Sequence, residues 1–135
     1  MGKTVVTSIS IDSDFLKLLD KFAEKMGYTS RSEVIRDSLR RLIEEQKVFS
    51  SGENVLAAII TIYNRNVRNV ASKLSAIRYS FDDVIIGSLH VHIVKGYCSE
   101  FILARGSSER ISELVVAVRR IKGLDSFSYA LAALE

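Results

Sequence analysis

Proline and tryptophan are absent from this chain, cysteine occurs once and histidine twice. A single cysteine excludes an intrachain disulfide framework, which points to a reducing, cytoplasmic setting. No apolar run is long enough to span a bilayer, and the first residues lack the apolar core of a signal peptide. A large excess of either charge is also missing. The 19 Lys and Arg face 16 Asp and Glu, a net charge of +3 at pH 7. That balance permits a nucleic-acid partner without demanding one, so any such argument has to rest on local pattern. No nucleophile–base pair and no phosphate-cradling glycine loop can be picked out, so an enzyme is not expected. At 135 residues the chain has room for one ordinary domain or two very small ones.

The scarce residues are gathered in one place. Both histidines and the only cysteine fall between positions 90 and 98, in Leu89-His90-Val91-His92 and then Cys98. Alternate residues of a strand share a face, so His90 and His92 point the same way. Gly96 can turn the chain back and bring Cys98 beside them in a hairpin. Two imidazoles and a thiolate on one surface suit a late first-row divalent metal. The plainer alternative is two ordinary strand histidines and a small buried cysteine.

The first half has a different pattern. Thr4 to Ile11 alternates as a strand, with Val5, Thr7, Ile9 and Ile11 on one face and Thr4, Val6, Ser8 and Ser10 on the other. Asp12 or Ser13 can cap a helix carrying Phe15, Leu18, Leu19, Phe22, Ala23 and Met26, closed by Gly27. Ser30-Arg31-Ser32-Glu33 reads as a capping box for a second helix with Val34, Ile35, Leu39, Leu42 and Ile43 on one stripe. One strand cannot make a sheet, and a strand with two helices has too little core to stand alone. The economical arrangement is a homodimer whose two strands pair antiparallel. The ribbon face bearing Val6, Ser8 and Ser10 then fits the DNA major groove. The start of the second helix, with Ser30, Arg31 and Ser32, can hold a phosphate. These features together resemble the ribbon-helix-helix family of DNA-binding proteins.

Residues 49–54 break the helical pattern as a linker between a first domain, 1–48, and a second, 55–135. The second half reads as strand (Val55–Tyr63), helix (Val67–Ile77), strand (Val84–Val94), strand (Cys98–Ala104), helix (Ile111–Ile121) and strand (Leu124–Leu134). The fold class expected is α+β: a ribbon-helix-helix (β-α-α) domain followed by a ferredoxin-like βαββαβ domain of the ACT type. Helices would cover one face of the sheet, and the histidines would lie on the free face, where a second subunit can meet them.

A ribbon-helix-helix domain joined to such a domain, with L-H-V-H and a cysteine six residues past the second histidine, is similar to the nickel-responsive transcriptional regulator family. The resemblance spans nearly the whole chain. It implies a homotetramer, a dimer of dimers, that binds double-stranded operator DNA. It also implies a nickel ion in a square plane between subunits, with His90, His92 and Cys98 as ligands from one chain. A second cation, often potassium, would be held by Glu33 and Asp37 with backbone carbonyls from about Arg119, Ile121 and Leu124. The chain departs from the family at the fourth nickel ligand, a histidine from the neighbouring subunit eleven residues before the first strand histidine. Tyr79 stands there. A phenol, with an ordinary pKa of about 10, is a poor ligand near neutral pH; water or Asp82 is the alternative. Arg65 replaces a second family histidine, and Val6 occupies a position that often holds a polar reader. Glu100 shares a strand face with Cys98, either to orient a ligand or to sit at a subunit interface.

The expected function is therefore a metal-controlled, sequence-specific transcriptional regulator, a repressor, with nickel implied by resemblance. One alternative is a ribbon-helix-helix regulator that has lost nickel sensing and answers to another metal or a small ligand. An alternative from another class is a metal-binding or antitoxin-like protein that no longer recognises an operator.

Overall fold

The computed structural model describes residues 2–134. The chain divides into two compact units between Glu44 and Glu45. In the first unit, α1 spans Ser13–Met26. Asp12 caps it by accepting the Phe15 N–H at 2.9 Å. Gly27 ends it in the left-handed region, and the Tyr28 N–H donates to the Ala23 carbonyl. Helix α2 spans Arg31–Phe49 and runs through the boundary between the units. The Ser30 hydroxyl accepts the Glu33 N–H, while the Glu33 carboxylate reaches back to the N–H and hydroxyl of Thr29. That is the expected capping box, with its return arm one residue earlier.

Residues 3–12 form neither helix nor strand and are almost wholly exposed. The expected strand from Thr4 to Ile11 is thus missing from the single chain. A strand needs a hydrogen-bonded neighbour, and among the described residues none is available to it. The unit also lacks a core. Ala23 and Val34 are its buried hydrophobics, whereas Phe15, Leu18, Met26, Leu39, Leu42 and Ile43 are each more than half exposed.

The second unit has its own core. Strand β1 (Asn54–Asn64) lies between β3 (Tyr97–Ser107) and β4 (Ser126–Leu134), with β2 (Ile85–His92) outside β3. The sheet order is β2-β3-β1-β4, and every pairing is antiparallel. Helices α3 (Val70–Ser80) and α4 (Ser108–Arg119) complete the βαββαβ order. Val70, Leu74 and Ile77 of α3 and Ile111, Leu114, Val115 and Val118 of α4 are buried at helical spacing against Val55, Ala57, Ile59, Ile102 and Ala104. Each fully buried side chain of this size contributes about 1.5–3 kcal/mol. The opposite sheet face is apolar yet open. Ile60, Leu89 and Val91 on it are more than two-fifths exposed.

Helix α3 starts at Val70, later than the expected Val67. The Val67 N–H closes a turn on the Asn64 carbonyl, and Asn69 sits at φ 71°, outside helical geometry. Between β2 and β3 the chain reverses at Lys95-Gly96. Both have positive φ (52° and 82°), and the Tyr97 N–H donates to the Val94 carbonyl at 3.1 Å. Positive φ at both central residues follows the natural twist of a hairpin, and Gly96 adopts it without steric cost.

Candidate metal centre

The hairpin register decides which side chains meet. His90 pairs with Glu100 and His92 with Cys98 across β2 and β3, and Tyr63 of β1 pairs with Cys98 on the other side. Directly paired residues share a face. His90, His92, Cys98, Glu100 and Tyr63 therefore line the face on which α3 and α4 pack. The free-face position expected for the histidines is corrected by this register. They stay accessible because β2 is the edge strand, and both are exposed.

The ligand atoms of His90, His92 and Cys98 all lie within 4.8 Å of one another, and among the described residues they form the one group able to hold a metal ion by this spacing. The Cys98 sulfur is 3.3 Å from His92 Nδ1. Two donors bound side by side to one ion, with metal–nitrogen and metal–sulfur bonds of about 2.0 and 2.3 Å, stand about 3.0 to 3.5 Å apart. His90 Nδ1 is 3.0 Å from Glu100 Oε2. A carboxylate there keeps the ring proton on Nδ1 and leaves Nε2 as the metal donor.

Glu100 is itself held firmly. It is 2% exposed. Its backbone N–H donates to the Thr61 hydroxyl, which donates to the Glu100 carbonyl, both at 3.1 Å. Its Oε1 lies 2.9 Å from Arg78 Nη1, an ionic contact off the N–H direction, so that oxygen has no aligned hydrogen bond. The Tyr63 hydroxyl is 3.4 Å from His90 Nδ1. Burial, then the charges of Cys98 and Glu100, push the Tyr63 phenol above its ordinary pKa, so it stays a neutral wall of the site. Glu100 was legible as a candidate from its strand phase. Arg78, Thr61 and Tyr63 were not singled out, and the one available signal was that Thr61 and Tyr63 alternate on one face of an apolar strand.

The remaining expected residues are dispersed. Tyr79 is 83% exposed, and Asp82 is not grouped with the three donors within the single chain. Three nitrogen and sulfur donors from one chain fit a late first-row ion and leave a coordination position open. Glu33 and Asp37 line a cavity of about 470 Å³ with Tyr28, Arg36 and Arg40. Glu33 is held by Thr29, while Asp37 accepts the Tyr28 hydroxyl and pairs with Arg41. Val6, Ser8 and Ser10 are exposed on the extended segment. The Ser30 hydroxyl serves as a cap. Ser32 is exposed, and Arg31 is bound through Nε and Nη2 to Asp20 at 2.8 and 2.9 Å.

Fold and site together define a two-helix segment with an extended N-terminal arm, joined to a βαββαβ domain that carries a candidate metal centre. Two family profiles match: the ribbon-helix-helix proteins of the CopG family over residues 5–46, and the NikR C-terminal nickel-binding domain over residues 56–132. The chain belongs to the NikR family of nickel-responsive regulators. A relative from Dictyoglomus thermophilum, provisionally named a nickel-responsive regulator, is 39% identical over 122 residues, covering 90% of each chain. One from Methanocaldococcus jannaschii with the same name is 38% identical over 118 residues, 87% of this chain and 84% of its own. Among solved structures, the ACT domain of a Chlorobium tepidum GTP pyrophosphokinase aligns with TM-score 0.48 at 13% identity, over 57% of this chain and 99% of that one. Among the described residues no helix is long and apolar enough to cross a membrane.

Proposed function

We propose that this chain is a cytoplasmic, homotetrameric transcriptional repressor that binds operator DNA under the control of nickel. The observation that carries the reading is the approach of His90, His92 and Cys98 to within 4.8 Å across a two-strand hairpin. Metal binding there requires the Cys98 thiolate and, with a fourth donor from a second chain, ties two subunits together. A tie of that kind favours one placement of the DNA-binding segments and so raises operator affinity.

Assembly is supported by exposed apolar surface. The first unit exposes Phe15, Leu18, Leu39, Leu42 and Ile43, more than a single small unit leaves in water. Pairing two copies of residues 4–11 would supply the missing strand partner and turn Val6, Ser8 and Ser10 toward the groove. Ser30, Arg31 and Ser32 would then flank a backbone phosphate. Glu33 and Asp37 form the proposed second cation site, where an ion has to displace donors from Thr29 and Tyr28. Tyr79, in place of the family's fourth histidine, favours one rival reading, a regulator of the same build that answers to another metal or a small ligand, because a phenol is a poor ligand near neutral pH.

The test is duplex DNA binding, on fragments selected from random sequence, by metal-free and nickel-loaded protein at several salt concentrations. Sequence-specific binding that strengthens with nickel and weakens as salt rises supports the reading. Equal binding with and without nickel contradicts it.

A further inference from the structure

The three donors are linked through His90 to a charged pair, Glu100 and Arg78. Glu100 Oε2 holds His90, and Oε1 faces the Arg78 guanidinium at 2.9 Å. Arg78 is fixed at a second point, because its Nη2 donates to Ser75 Oγ at 2.9 Å on the same helix. A positive charge thus sits two contacts from a metal ligand, on a side chain that ligates nothing.

The charge count follows directly. With a Cys98 thiolate, two neutral imidazoles, the Glu100 carboxylate and the Arg78 guanidinium, the centre carries one net negative charge. A monovalent ion brings it to neutrality, and a divalent ion leaves it one charge positive. Without Arg78 the centre carries two negative charges and a divalent ion neutralises it. Excess charge on a centre that includes the buried Cys98 and Glu100 side chains is unfavourable.

We propose that Arg78 is a specificity-determining residue of the metal centre, lowering its preference for divalent ions relative to soft monovalent ions. This rests on the reading of His90, His92 and Cys98 as metal ligands. A fixed charge acts on a divalent ion with twice the energy it exerts on a monovalent one. The change on removing it is therefore the square for one of what it is for the other.

The experiment uses the full chain as wild type, Arg78→Gln and Arg78→Lys. Affinities for nickel(II) and for copper(I), the latter under anaerobic reducing conditions, are measured by competition with chromophoric chelators. Arg78→Gln is expected to tighten nickel(II) binding about tenfold and copper(I) binding about threefold, the ratio set by Coulomb's law. Arg78→Lys is expected to keep the wild-type preference, because it keeps the charge. Equal changes for both ions, no change, or weakening of both by Arg78→Gln would overturn the proposal and leave Arg78 a structural residue. Should Arg78→Gln not fold, Arg78→Met, which keeps the aliphatic stem and removes the charge, takes its place with the same expected changes, and equal changes for both ions in it overturn the proposal. If no form binds either ion, the metal reading fails and the inference with it.

Discussion

Glu100→Gln isolates what the buried carboxylate does for the metal centre. The substitution keeps the side-chain shape and the Thr61 backbone contacts, which do not involve the carboxylate. It replaces the acceptor 3.0 Å from His90 Nδ1 with an uncharged amide whose NH₂ can face the ring nitrogen. The imidazole then loses both its orientation and the negative charge that makes Nε2 a better donor. Loss of such an outer partner lowers metal affinity by about 10- to 100-fold, which is about 1.4–2.7 kcal/mol. The Arg78 side chain is 37% exposed and can turn to water, so the fold survives. The assay is nickel affinity by chelator competition, with circular dichroism as the control for folding. An affinity within about twofold of wild type, well below the expected loss, would refute the assignment of Glu100 as the residue that positions His90.

Three further outcomes are expected. Gly123 has φ 98°, and a Cβ there would meet Val67 and Val70 methyl carbons at 2.8 and 2.9 Å; Gly123→Ala should destabilise the second unit by about 2–4 kcal/mol in denaturant titration, from backbone strain and overpacking together. Hydrogen bonds from Arg110 hold the Asp83 carboxyl below its ordinary pKa, and the Thr29 N–H and hydroxyl do the same for Glu33. The stability these groups contribute is complete above the ordinary carboxylate range and is lost as pH falls through the folded values. The thermal midpoint should drop below about pH 4, less steeply in Asp83→Asn. Leu42, 61% exposed in the single chain, should be covered by a partner; Leu42→Asp should abolish DNA binding and reduce the oligomer seen by light scattering.

The βαββαβ order was legible because its apolar periods are unbroken, as in Val55–Tyr63 and in Ile111, Leu114, Val115 and Val118. The hairpin was legible from Gly96 and the spacing of His92 to Cys98. The sheet face of the histidines was misjudged because alternation gives a face but not which one the helices cover. That follows only from pairing with Cys98 and Glu100, residues buried beside Thr61 and Tyr63. Arg78 was hidden for a similar reason. Nothing local in Ile77-Arg78-Tyr79 reveals that one residue reaches a buried carboxylate in β3 while its neighbour points into water. The ribbon strand was legible as alternation, but the hydrogen bonds that would make it a strand belong to a second copy.

The central claim is that His90, His92 and Cys98 hold one metal ion. Its most direct test is nickel titration of the purified, metal-free protein, followed in the ultraviolet-visible spectrum, with Cys98→Ala alongside. A thiolate-to-nickel charge-transfer band that saturates at one ion per chain and is absent from Cys98→Ala is the predicted result. An unchanged spectrum in the folded wild-type protein, or the same band in Cys98→Ala, would contradict the claim.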